Sequence, residues 1–169
     1  PGSPGGSVRD TKPFIPPAPS TFDEGGIRFH LPGEVVKVDR WESAPNFIHH
    51  TWRDSDLRGV KMNAALQISP LGIADPALQK VAFEAAYVAM KEKSKFESVQ
   101  EDKSIESMAG HLAKRFTAKQ GGRDLQLWYV FVPSKDGAKC FILGFFCLPS
   151  QQKALEPKIE KILSSIQLP

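Results

Sequence analysis

Ala138-Lys139-Cys140-Phe141-Ile142-Leu143-Gly144-Phe145-Phe146-Cys147-Leu148-Pro149 reads AKCFILGFFCLP, with no polar side chain from Cys140 to Leu148. An antiparallel strand with one wet face alternates apolar and polar residues, and this stretch does not. The preceding LQLWYVFV, residues 125–132, is apolar on both faces through its second half. Both surfaces of the sheet these strands build must therefore be covered.

Two amphipathic segments are available as covers. Asp75-Pro76 supplies an N-cap followed by proline at the first helical position, so a helix is expected over about 77–93. Leu78, Val81, Ala82, Ala85, Val88 and Ala89 trace an apolar stripe along it. Phe83, Tyr87 and Met90 widen that stripe, and Lys80, Glu84, Lys91 and Glu92 take the solvent side. Near the C-terminus, ALEPKIEKILSSIQL places Leu155, Ile159, Ile162, Leu163 and Ile166 on one helical face over 156–167, with Pro157 tolerated only near the first turn. One helix on each face gives an α/β/α sandwich around a mainly antiparallel sheet of about six to seven strands. The alternative places both helices on one face and leaves Phe141 and Phe145 to seek a partner.

The remaining strands read from alternation and turns. IRFHL alternates Ile27, Phe29 and Leu31 against Arg28 and His30, and Pro32-Gly33 turns the chain into EVVKV as a hairpin-like opening. NFIHHTW is a third strand. VKMNAALQIS sends Val60, Met62, Ala64, Leu66 and Ile68 to one side. A meander follows, with Leu112, Phe116 and Ala118 alternating against Lys114 and Thr117, and with Gly121-Gly122 and Asp136-Gly137 at its hairpins.

Residues 1–26 are rich in Pro and Gly and poor in apolar residues, which predicts a flexible tether ahead of a single domain at 27–169. PFIPPAP within it favours extended polyproline II, a spacer. The sequence opens on Pro rather than Met, so a removed signal peptide, a longer N-terminal region or a tag is expected before it.

Composition excludes some roles. A net charge of +3, interleaved with acids as in KEKSKFESVQEDK, argues against a nucleic-acid binder, which clusters Lys and Arg on one face. Cys140 and Cys147 point to opposite faces of one strand, too far apart to bridge, and are expected to be free buried thiols. His49 and His50 are neighbours facing opposite ways and cannot chelate together; His30 can pair with one of them across strands, but no Cys or carboxylate sits at ligand spacing nearby, and no metal and no cofactor is expected from these or from His111. No G-x-S-x-G elbow and no phosphate loop is present, and no catalytic residue is assigned. Trp41 and Trp52 flank polar loops beside Arg40, Arg53 and Arg58, a composition enriched at protein interfaces, and these five are the candidate contact residues. The competing reading makes the tryptophans a lid over one end of the sheet.

IRFHLPGEV at the start, a helix after the fourth strand, the two glycine hairpins and the closing EKILSSIQL together resemble the PsbP-like family over Ile27–Leu168. That family also includes the Ran-binding nuclear-transport regulator, DcrB-like envelope proteins and the chaperones of type VI secretion effectors. The resemblance implies a sandwich with no shared enzymatic activity that binds proteins or serves as an accessory subunit. The expected role is a non-enzymatic, tethered cell-envelope module, lipoprotein-like, whose only membrane contact is an N-terminal lipid anchor and whose partner is another protein. Two alternatives stand beside it: a cytoplasmic chaperone or adaptor of a secreted effector, and a small-molecule binder or unrecognised hydrolase.

Overall fold

The computed structural model describes Gly2, residues 20–33, 35–54 and 62–169. Ten strands and two helices follow in order: β1 (Ser20–Glu24), β2 (Ile27–Leu31), β3 (Val35–Ala44), β4 (Phe47–Asp54), β5 (Asn63–Pro70), α1 (Pro76–Ser94), β6 (Ser98–Glu101), β7 (Ser107–Met108), β8 (His111–Gln120), β9 (Arg123–Pro133), β10 (Lys139–Cys147) and α2 (Gln152–Ser164). Eight of the strands make one sheet in the order β3-β4-β5-β10-β9-β8-β6, with the two-residue β7 also on β8. All its pairings are antiparallel.

The two-faced apolar strands β9 and β10 sit at its centre, and each face has its own helix. Trp128, Val130, Phe141, Leu143 and Phe145 point into one layer with Leu155, Ile159, Ile162 and Leu163 of α2. The alternate residues Phe131, Cys140 and Ile142 meet Phe83 of α1 on the other side, and Phe116 and Ala118 meet Tyr87. Phe141 and Phe145 are buried, so the one-helix-per-face arrangement holds. No helix among the described residues is long and apolar enough to cross a membrane.

Four details depart from the sequence reading. Residues 3–19 of the expected arm lie outside the described residues, and its last part is a strand: Ser20–Glu24 pairs antiparallel with Ile27–Leu31 because Phe22 drops into the core, stacked on Phe29 at 4.9 Å. The folded domain therefore includes Ser20, not only Ile27 onward. For the same reason IRFHL is not the hairpin partner of EVVKV; β3 instead leaves the Pro32-Gly33 turn to pair with β4 at the sheet edge. Helix α2 starts at Gln152, after a single 3-10 turn at Pro149–Gln151, and Pro157 lies inside it.

The fourth departure concerns α1. Asp75 caps it as expected, its carboxylate accepting from the Ala77 amide at 2.9 Å. Yet the buried face is Gln79, Phe83 and Tyr87, and the Leu78, Val81 and Val88 stripe is exposed. Both faces of this helix are apolar, so periodicity does not choose between them. Aromatic size does, since two rings against the sheet bury far more area than valines and alanines.

Candidate binding groove

Helix α1 lies over β8, β9 and the first half of β10, and leaves the same sheet face open over the second half of β10, β5 and β4. Register fixes what is there. Trp41, His49, Gln67 and Ile142 form one cross-strand row, and Thr51, Ala65, Gly144 and Tyr129 form the next. Ala65 opposite Gly144 makes a low floor, because neither residue raises a side chain of any height.

The walls stand on either side of that floor. On one side are Met90 and Ser94 of α1, with Phe96, Leu125, Leu127 and Phe146 continuing the apolar wall. On the other, two irregularities in β3 between Lys37 and Asp39 and between Glu42 and Ala44 set Trp41 directly across from His49. The indole stacks on the imidazole at 4.9 Å, with the rings 7° from parallel. His49 Nε2 and Ser43 Oγ share a hydrogen bond of 2.7 Å that fixes the ring beneath it. Burial holds the imidazole below its usual pKa, and the Lys93 ammonium on α1 adds to the effect. The groove has a volume of about 340 Å³. Trp41 and Phe146 are exposed at its rims, at 42% and 38%.

The five contact residues read from sequence do not form one surface. Trp41 lines the groove. Trp52 belongs to the opposite face, where it is a core residue packed against Phe22 and Phe29. Arg40 is on that face too, its Nε donating to Glu24 Oε1 at 3.1 Å. Arg53 is exposed on the groove face, four residues along β4 from His49. Arg58 lies outside the described residues. The separation follows from alternation along β3 and β4, which sends residues one apart to opposite sides.

Sequence reasoning missed His49, Ala65, Gly144 and Phe146. One signal was available: a lone glycine inside an apolar strand marks a place where something approaches the backbone closely. A Cβ added at Gly144 meets nothing nearer than the Trp128 carbonyl oxygen at 4.0 Å, so what it leaves open is the groove side.

Chemistry is sparse around this cavity. Among the described residues no three His, Cys, Asp or Glu side chains gather as a metal set. Both cysteines are buried; burial raises the Cys147 thiol to about 11 and also raises Cys140, whose Sγ lies 3.2 Å from Ser69 Oγ. Thiols held protonated are poor nucleophiles.

No known protein-family profile matches the chain, and no curated protein does. Solved structures do. LpqN of Mycobacterium tuberculosis, involved in cell envelope biogenesis, is 15% identical over 92% of this chain and 87% of its own, with a TM-score of 0.56. PA94 of Pseudomonas aeruginosa, a protein of unknown function, is 14% identical over 89% and 96%, with a TM-score of 0.54. The cyanobacterial PsbP protein CyanoP of Synechocystis sp. PCC 6803 is 12% identical over 99% and 98%, with a TM-score of 0.62. An eight-stranded antiparallel sheet with one helix on each face, matched over nearly its whole length by CyanoP, gives this chain the PsbP-like fold.

Proposed function

We propose that this protein is a non-enzymatic accessory module that holds an apolar helix of a partner protein in the groove beside α1. The carrying observation is the uncovered floor at Ala65 and Gly144, walled by α1 on one side and the Trp41–His49 stack on the other. Strands are about 4.8 Å apart, so the open span from β10 to β3 is roughly 14 Å, the width of one helix with its side chains. Exposed Trp41 and Phe146 are the anchors of such a contact, large rings at the rim of a chiefly apolar concavity.

The envelope biogenesis role of LpqN supports a cell-envelope location for this chain. The Pro/Gly-rich composition ahead of Ser20 supports a spacer that sets reach from an attachment point, a lipid anchor among them. A second reading, a cytoplasmic chaperone of an exported effector, uses the same groove and differs in compartment; fractionation of cells expressing the full gene separates the two. A hydrolase would need acid, base and nucleophile converging on the cavity, and its walls are chiefly apolar.

The groove reading is tested by photocross-linking. p-Benzoylphenylalanine at Phe146 is expected to give one partner adduct that Gly144→Leu abolishes, while the same probe at Lys153 on α2 gives none. Equal adducts from both positions, or an adduct indifferent to Gly144→Leu, would refute it.

A further inference from the structure

The buried imidazole of His50 has no role in the groove. It is 0% exposed, and neither Nδ1 nor Nε2 has a hydrogen-bond partner. Phe22 of β1 meets its ring edge-on at 4.9 Å, and Trp52 stacks against it at 5.9 Å. A ring with two unsatisfied nitrogens in an aromatic enclosure is costly, and leaving it there calls for a reason. Its nearest ionisable neighbour is Glu24, at the end of β1, whose Oε2 lies 3.7 Å from Nε2.

We propose that His50 is a proton-operated latch for the β1–β2 hairpin: the hairpin seats over the neutral ring, and a proton on Nε2 releases its β1 edge from the sheet.

The charges around the ring decide the direction. Glu24, from β1, favours the imidazolium, but its carboxylate is already engaged by Arg40 Nε at 3.1 Å and Lys37 Nζ at 3.9 Å, both from β3. His49, next along β4, opposes a second positive charge, and Leu66, opposite on β5, is apolar. Burial is the largest influence and holds the ring below its ordinary 6.5. A base whose pKa is depressed in the seated state gives seating its full strength above about 6.5, and that strength declines as pH falls below it.

The release is one-sided because β2 is fastened elsewhere. Arg28 and Gln167 exchange backbone hydrogen bonds at 3.0 and 2.8 Å, and the His30 amide donates to Ser165 Oγ at 2.8 Å. Those bonds do not titrate in this range. Opening unpairs β1 from β2, bares Phe22 and Trp52, and leaves β2 attached to the C-terminal tail.

Amide exchange of the intact chain, corrected for intrinsic pH dependence, reads the latch. From pH 7.5 to 5.5, protection of the β1 amides that donate to β2 is expected to fall up to about tenfold, the most one proton allows a unit below 6.5. Amides of β9 and β10 should keep theirs. The seated His50 Hε1 resonance should titrate below 6.5, where the loss of protection levels off, and His50→Phe should abolish the pH dependence. Glu24→Gln removes the one group favouring the charged ring and should move release to higher pH, which serves if the phenylalanine variant does not fold. Unchanged β1 protection down to pH 5.5, the same pH dependence in His50→Phe, or a release midpoint that Glu24→Gln leaves in place or lowers overturns the latch.

Discussion

Trp41 stacks on His49 from the neighbouring strand at 4.9 Å and 7°, forming an aromatic post that stands across open sheet from α1. The post is stiff because its base is fixed, with His49 bonded to Ser43 and the two strands in register through it. It is also 42% exposed at Trp41, on a strand at the edge of the sheet.

Removing the post should therefore separate binding from stability. Trp41→Ala loses one exposed cross-strand pair, about 1 kcal/mol or less in urea unfolding. As an interface anchor it should lose about 2 kcal/mol in binding, roughly 30-fold in Kd by calorimetric titration with an apolar helical peptide. A stability loss without an affinity loss would make Trp41 structural.

Gly144→Leu should plug the floor. Its backbone needs no glycine conformation and its Cβ has room, so the urea midpoint should stay level or rise, while peptide binding disappears. Unimpaired binding in the folded variant would place the contact elsewhere.

Gly137 is the contrasting glycine. It turns with φ +70° in the hairpin before β10, where a Cβ would press into the Ile73 carbonyl oxygen just ahead of α1. Gly137→Ala should cost about 2 kcal/mol or more in unfolding, from left-handed strain and backbone overlap together. A loss below about 0.5 kcal/mol would mean that the turn and the loop before α1 move independently.

Acid should weaken the α2 side through Asp102. Hydrogen bonds from Ser104 and from Arg115 hold its carboxyl at about 2, below its ordinary 3.8. Arg115 continues the chain to Glu156 of α2 at 2.7 Å. A depressed carboxylate contributes stability above about pH 4 that is lost as pH falls toward 2. Asp102→Asn should flatten the urea midpoint against pH across that window; a slope equal to that of the parent would assign acid sensitivity to other groups.

Much of the layering was legible because it depends on short-range pattern. CFILGFFC and WYVFV are too apolar to be wet along the whole of either side, and Asp75-Pro76 marks a helix start by local chemistry. What escaped depends on partners distant in sequence. Ser20–Glu24 carries one apolar residue, Phe22, and reads as tether until Phe29, His50 and Trp52 close around it. The groove needs the register of β3 on β4, which two irregularities shift, so nothing near Trp41 announces His49 as its neighbour. Trp41 was legible as a candidate and Trp52 was not distinguishable from it, since only strand parity sends one to the groove and the other to the core.

Amide shift mapping reads the central claim most directly. On titrating an apolar helical peptide of Leu and Ala into the labelled protein, saturable shifts should gather at Trp41, Ala65, Gly144 and Phe146 and be absent from α2. Saturable shifts confined to α2 or to the β1–β2 hairpin, or none at millimolar peptide, would contradict a binding site beside α1.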